Sequence, residues 1–334
     1  MSSRMSAQIY RTNDANPELI LQRTIAVVGY GAQGQAHALN LRDSGCQVII
    51  GQRPNGRGWD EAKSDGFSPK PIAEAVALAD LVCLMVPDED HGRVFSELIE
   101  PNLRKGSAIL TCHGFSFHYG LVKPADESQK ILVAPKGQGH MVRGEYVRGG
   151  GVPCLLAVGD EANDDAWRLG LAYAWAIGGT RAGVIRTTIA AETETDLFGE
   201  QAVLCGGLTQ LIQAGFQTLV DAGYQPELAY FECLHELKII IDLLQVGGIA
   251  HMRDLISTTA EYGDVTRGPK IIDEHVRQNM RKLLSEIQSG DFAKEFLREC
   301  EAGQKTLHES RKQTSRLQVE TVGCELRALM PWLK

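Results

Sequence analysis

Glu232 and Glu236 stand four residues apart inside the apolar run from Leu228 to Leu244. On an α-helix their side chains share one stripe with Ala229, Ile239, Ile240 and Leu243, while His235, Lys238, Asp242 and Gln245 form a separate polar stripe. Ionised carboxylates on the buried side of a helix are costly unless something positive meets them. Asp196 and Glu200 repeat the spacing upstream, in the acidic segment 192–201. Four carboxylates from two helical segments make an oxygen-ligand set for hard divalent cations, Mg2+ foremost. Acidic pairs on helices are also common as plain solvated faces, and acids favour a helix N-terminus. The apolar setting is what singles out Glu232 and Glu236.

A second chemistry lies near the N-terminus. Gly29-Tyr30-Gly31-Ala32-Gln33-Gly34 is G-x-G-x-x-G placed directly after a strand and opening a helix. Glycines there permit a tight turn and bring backbone N–H groups close to a pyrophosphate. The end of the next strand reads the ribose, and Gln52-Arg53-Pro54-Asn55-Gly56-Arg57-Gly58 carries no carboxylate. Arg53 and Arg57 are available for a 2′-phosphate, so NADPH is favoured over NADH. Three further polar clusters follow predicted strands: Asp88-Glu89-Asp90-His91, Cys112-His113-Gly114 and Pro135-Lys136-Gly137. Together they aim an imidazole, His113, and an ammonium, Lys136, at the expected place of the nicotinamide. Ser257 reads, on pattern alone, as a helix cap or turn residue.

The elements that must position these groups fall into two halves. Strands are predicted at 24–29, 47–51, 81–86, 108–112, 131–134 and 153–158, alternating with helical segments. Near-continuous apolar strands joined in this way argue for a mostly parallel sheet covered on both faces. From about residue 187 onward no strand is expected, and helices are predicted at 200–222, 226–246, 273–289 and 291–302. The expected division is a dinucleotide-binding domain over 1–187 and an all-α domain over 188–334, carrying the metal and substrate site and a dimer interface. With 334 residues the chain is long enough for two cores. A net charge of −8 without a basic stripe argues against nucleic acid as a partner. Eight scattered cysteines lacking a C-x-x-C fit reduced thiols better than disulfides or zinc. The first residues lack a signal-peptide apolar region and no stretch is expected to span a membrane, so a cytoplasmic protein is expected.

Over essentially its whole length the sequence resembles ketol-acid reductoisomerase of the short-chain class I, also called acetohydroxyacid isomeroreductase. The resemblance is carried by the glycine loop, Cys112-His113-Gly114-Phe115, Ala134-Pro135-Lys136, and the segments 192–207 and 229–238. It implies a Rossmann-type doubly wound α/β domain followed by a knotted all-α domain. It implies two Mg2+ ions held by Asp196, which bridges them, Glu200, and Glu232 and Glu236 from a partner subunit, hence a homodimer at least and assemblies up to a dodecamer. His113, Lys136 and Glu236 match the catalytic residues, and Ser257 the serine that binds the substrate carboxylate. Gly29, Tyr30, Gly31, Ala32, Gln33, Gly34, Arg53, Arg57, Asp88, Glu89, Asp90, His91 and Gly139 are expected at the cofactor, NADPH with NADH as the other option. The implied reaction is alkyl migration in 2-acetolactate or 2-aceto-2-hydroxybutyrate, then reduction to the 2,3-dihydroxy acid, in valine and isoleucine biosynthesis.

The departures from the family pattern concern cofactor and substrate fit. Gly56 and Gly58 stand where two serines usually meet the 2′-phosphate. Gln35 replaces a histidine, Gln138 interrupts the usual run after Lys136, and His251 to Asp254 differ ahead of Ser257. The alternatives are a simple NADP-dependent hydroxy-acid dehydrogenase without the isomerase step, a reductoisomerase relative with an altered substrate, and a non-enzymatic nucleotide-binding relative. The dehydrogenase has no need of four acids on apolar helices, and a dead relative has no reason to keep every one of them.

Overall fold

The computed structural model describes residues 7–125, 128–159 and 163–333. The N-terminal stretch in which no signal sequence was read lies mostly in residues 1–6, outside the described residues. The chain divides into two compact units, one up to Thr193 and one from Glu194 on.

The first unit is built on one eight-stranded sheet. Its strands are β1 (Ile9–Tyr10), β2 (Thr24–Val28), β3 (Gln47–Gly51), β4 (Leu81–Leu84), β5 (Ala108–Thr111), β6 (Lys130–Pro135), β7 (Cys154–Val158) and β8 (Val184–Arg186), in the order β1-β8-β7-β6-β5-β4-β2-β3. The pairs β2–β3, β2–β4, β4–β5, β5–β6 and β7–β8 are parallel, whereas β6–β7 and β1–β8 run antiparallel. The period of two explains why the strands read as continuous apolar runs. Ile25, Val27, Leu81, Cys83, Ala108 and Leu110 feed one core, and Ala26, Val28, Val82, Leu84 and Ile109 feed another on the opposite face. The helices Ala32–Asp43 and Asp164–Ala176 supply Ala38, Leu41, Leu169 and Tyr173 to the first core; Ile72–Leu78 supplies Ile72, Ala75 and Val76 to the second. Sequence reasoning did not find β1 and β8, because two or three residues cannot display an alternation.

The strand order fixes where a ligand can enter. The chain leaves β2 for β3 on one side and returns across to β4 on the other, so β2 and β4 part at a switch point of a doubly wound sheet.

The second unit is helical: Gly206–Asp221, Pro226–Tyr230, Leu237–Leu255, Thr258–Ile271, Glu274–Gln288, Asp291–Glu301, Lys305–Thr314 and Gln318–Ala328. Helix Ile189–Gly199 leads into it. A core of Phe216, Ala229, Tyr230 and Val319 holds three of these helices together. Two details depart from the regular helices predicted. Glu200–Leu204 and Phe231–His235 are single π-turns inserted into the helical path, and Gly248 (φ 80°, ψ −175°) breaks the helix Leu237–Leu255. The predicted helix 226–246 thus stops just short of this glycine kink. By length and composition alone the helical run Ile189–Asp221 is apolar enough to cross a membrane, where the sequence reading expected no such stretch. The sequence reading had split that run at residue 200, and it carries Glu192, Glu194, Asp196 and Glu200. No disulfide joins any of the eight cysteines.

Candidate active site

At the carboxyl ends of β2 and β4, where the topology predicts a ligand, a cleft of about 870 Å3 opens in the first unit. Gly29, Tyr30, Gly31, Ala32 and Gln33 form one wall, and Asp88, Asp90 and His91 belong to another. Strand order places Gln52, Arg53 and Arg57, which follow β3, on one flank and Cys112 and His113, which follow β5, on the opposite flank.

The glycines divide their labour. Gly29 adopts φ +103°, and a Cβ there would meet the Met85 backbone at 2.7 Å; a Cβ on Gly34 would lie 2.3 Å from the Gly29 carbonyl oxygen. Those two are demanded by the turn and by close packing. Around Gly31 nothing lies within 4 Å of the same construction, which leaves open room at the head of helix Ala32–Asp43. Gly31 offers no side-chain cap, so the first N–H groups of that helix remain for an anion. The donor set fits the pyrophosphate of a dinucleotide. Gly34, Glu89 and Gly139 do not line the cleft. Gly139 is buried behind the loop, where a Cβ would come within 2.1 Å of the Ala32 carbonyl oxygen. Gln33 Nε2 donates to the Gly137 carbonyl (2.9 Å) at the same junction.

On the acidic wall, His91 Nε2 donates to the Val86 carbonyl (2.9 Å) and lies 3.8 Å from Asp88. Burial lowers the His91 pKa and raises that of Asp88.

After β3, Arg53 and Arg57 are both exposed. Arg57 Nε is paired with Glu61 Oε1 at 2.7 Å, and Glu61 lines the cleft. Gly56 caps helix Arg57–Ser64 with extended backbone (φ −91°, ψ 162°), and a Cβ there meets only the Arg53 carbonyl at 3.4 Å. A Cβ on Gly58 would fall 2.4 Å from Gln52 Nε2. Gly56→Ser is therefore expected to leave stability within about 0.5 kcal/mol of the parent, because serine is at home at an N-cap. Gly58→Ser must displace the Gln52 amide. The pair of serines is expected to move cofactor preference toward NADPH, measured as the ratio of dissociation constants. An unchanged ratio would mean that this loop does not meet the 2′ position.

The opposite flank is organised by a residue whose role sequence reasoning missed. Glu192, 1% exposed, receives Lys136 Nζ on Oε1 at 2.9 Å. Its Oε2 accepts the Gly114 backbone N–H at 3.0 Å and lies 3.3 Å from His113 Nδ1. Burial alone would raise the Glu192 pKa; His113 and Lys136 outweigh it and hold the carboxyl below its ordinary range. The sequence folds this way because Thr188 caps helix Ile189–Gly199 through the Ala191 N–H (3.0 Å), which sets Glu192 in the first turn. Gly114 permits the approach, since a Cβ there would strike Thr193 Oγ1 at 2.2 Å. Phe115 is buried beneath and stacks with the His113 ring at 6.4 Å between centroids. The available signal was the four-residue series Glu192, Asp196, Glu200, of which only the last two were read as functional.

The expected metal ligands are distributed along the helical path. Asp196 follows Glu192 by one turn, and Glu200 opens the first π-turn. Glu232 lies inside the second π-turn and Glu236 directly after it. The expectation that Glu232 and Glu236 occupy a buried helix side is corrected: in the single chain both are exposed. Of their apolar companions Ile239 is exposed, at 59%, Ile240 and Leu243 are half-buried, and Ala229 is buried in the helical core. Among the described residues neither glutamate joins a group of three or more His, Cys, Asp or Glu side chains with metal-ligand spacing. Ser257 caps helix Thr258–Ile271, its Oγ accepting the Ala260 N–H at 3.2 Å, as the pattern alone suggested. That use of a lone pair leaves its O–H able to donate to a carboxylate.

Comparison with known proteins now bears on this geometry. The family model of the acetohydroxy acid isomeroreductase NADPH-binding domain matches residues 19–183, and that of the ketol-acid reductoisomerase C-terminal domain matches residues 189–332. An NADH-preferring ketol-acid reductoisomerase from an uncultured archaeon is similar at 42% identity, over 97% of this chain and 99% of that one, with a TM-score of 0.93. A semialdehyde dehydrogenase NAD-binding protein from Cupriavidus necator shares 20% identity over 80% of this chain and 99% of its own, with a TM-score of 0.60. A 1-pyrroline-5-carboxylate reductase from Streptococcus pyogenes shares 14% identity over 80% and 98%, with a TM-score of 0.51. The last two likenesses concern the fold alone. From the matches over both halves and the 42% identity across nearly all of both chains, the chain belongs to the ketol-acid reductoisomerase family.

Proposed function

We propose that the chain is a Mg2+-dependent ketol-acid reductoisomerase. It rearranges 2-acetolactate or 2-aceto-2-hydroxybutyrate by alkyl migration and reduces the product with NAD(P)H to the 2,3-dihydroxy acid. The observation that carries this reading is the buried Glu192, which holds an ammonium, Lys136, next to an imidazole, His113, that lines the dinucleotide cleft. A plain dehydrogenase needs one proton donor; a rearrangement followed by reduction needs a proton removed and another delivered.

Asp196 and Glu200, with the partner subunit's Glu232 and Glu236, offer the all-oxygen set suited to two Mg2+ ions. Such ions, when bound, polarise a carbonyl and lower the pKa of an adjacent hydroxyl. Glu236 is the carboxylate suited to receive the hydroxyl proton. Lys136, oriented by Glu192, offers a positive charge and a proton to the oxygen on which charge develops. His113, held by the same carboxylate, orders that pair. The Ser257 hydroxyl meets the substrate carboxylate, and Gly29 to Gln33 seat the dinucleotide.

The shared site makes a homodimer the smallest working unit. Supporting this, Glu232 and Glu236 share the exposed surface of their helices with Ile239, Ile241, Val246 and Ile249. A cytoplasmic setting and a role in valine and isoleucine synthesis belong to the same reading. The test is oxidation of NADPH and of NADH with 2-acetolactate, with and without Mg2+. Turnover that disappears on chelation and returns with Mg2+ is the expected result. Metal-independent reduction of a simple 2-keto acid, without turnover of acetolactate, would replace this reading with the dehydrogenase.

A further inference from the structure

The loop after β3 was read for its arginines, yet the structure places a carboxylate in the cleft beside them. We propose that Glu61 is the residue that selects the dinucleotide, accepting a hydrogen bond from a ribose 2′-hydroxyl and repelling a 2′-phosphate, so that this chain prefers NADH. The inference rests on the dinucleotide cleft of the proposed function and names the group that reads one end of it.

Three observations carry it. First, Glu61 lines the cleft and holds Arg57 through Nε at 2.7 Å. The pair has no net charge, so Arg57 brings no surplus positive charge to a phosphate of nearly two negative charges. Its side chain is 92% exposed, so the guanidinium extends into solvent. Second, Gln52 lines the same flank of the cleft. Its Oε1 accepts the Arg53 N–H at 2.9 Å, and its Nε2 lies over Gly58, the one residue there small enough to allow it. A neutral amide thus lies where a hydroxyl or ammonium would serve a phosphate better. Third, helix Arg57–Ser64 is anchored to the glycine loop. Tyr30 Oη donates to Asp65 Oδ2 at 2.8 Å and Gln35 Nε2 to the same oxygen at 2.7 Å. Arg42 Nη1 donates to the Asp65 carbonyl at 2.6 Å. Glu61 therefore keeps its place against the phosphate cradle, and Gln35 is part of the anchor.

A carboxylate that reads the ribose of NAD usually follows the second strand directly. Here it sits one turn into the next helix, beyond the segment 52–58, which carries no carboxylate.

The experiment is isothermal titration calorimetry of the full chain with NADH and with NADPH, comparing wild type with Glu61→Gln and Glu61→Lys. Neither metal nor substrate is needed, so the result stands whether or not acetolactate is turned over. The wild type is expected to bind NADH more tightly. Glu61→Gln is expected to shift the ratio of dissociation constants toward NADPH about tenfold, and Glu61→Lys further. Glu61 is partly exposed on a helix, so both variants are expected to fold, checked by thermal melting. Wild-type preference for NADPH, or an unchanged ratio in Glu61→Gln with both cofactors still binding, would overturn the proposal.

Discussion

Asp196→Asn or Glu232→Gln is expected to abolish reductoisomerase turnover, a fall of about 10³-fold or more, while dinucleotide binding stays within about twofold of wild type. Loss of an outer-shell partner costs a metal site about 10–100-fold, and replacement of a charged ligand by a neutral amide exceeds that. Binding survives because the cradle of Gly29 to Gln33 lies wholly in the first unit, whereas both acids lie in the second. The exposure of Glu232 in the single chain sharpens the experiment. If one site takes Asp196 from one subunit and Glu232 from the other, a mixed dimer of the two variants contains one intact site. Random co-assembly is then expected to restore about one quarter of wild-type activity from two inactive parents. Mixtures as inactive as the parents would show that no site is shared, and full activity in either parent would remove these residues from the metal set.

The second large effect is expected at Glu192. Glu192→Gln keeps the shape but removes the charge that opposes Lys136 and His113, and turnover is expected to fall about 10²-fold. Stability is expected to drop by about 2 kcal/mol, the scale of a hydrogen bond to a charged group. The Lys136 side chain is 35% exposed, so solvent screening keeps the loss below that of a fully buried pair. The dependence on pH has a definite sign. The Glu192 pKa is depressed in the folded chain, so its contribution is complete above the ordinary glutamate value of 4.5 and fades as pH falls through the lower folded value. Melting curves of wild type and Glu192→Gln are therefore expected to lie a constant interval apart at neutral and mildly acidic pH, and to converge below it. A gap that widens on acidification would mean that Glu192 is protonated in the folded protein.

What could be read from the chain, and what could not, follows physical lines. The parallel strands were legible because residues such as Ile25 to Val28 bury both faces. The glycine loop was legible because strand, turn and helix follow one another within eleven residues, Thr24 to Gly34. Lys136 and His113 were marked by their places after strands. Their common anchor was not, because Glu192 is distant in sequence and only the return of helix Ile189–Gly199 brings it to Gly114. The apolar stripe around Glu232 was read as a buried side; the pattern was real, but a sequence does not say whether its own chain covers a stripe. The π-turns at Glu200 and Phe231 were also beyond reach, because an extra residue in one turn leaves the hydrophobic pattern almost unaltered.

The contact between Gly139 and the Ala32 carbonyl has a consequence for how this enzyme can change. Two backbones touch there, and Gln33 binds the Gly137 carbonyl beside them, so the phosphate cradle and the loop bearing Lys136 behave as one piece of machinery with no tolerance for a larger side chain. The loop from Arg53 to Gly58, by contrast, is open to solvent over much of its length and tied down by few bonds. A larger side chain is therefore tolerated in the loop at Gly56 and refused at Gly139: the two ends of this cleft differ in how much change the backbone around them can absorb.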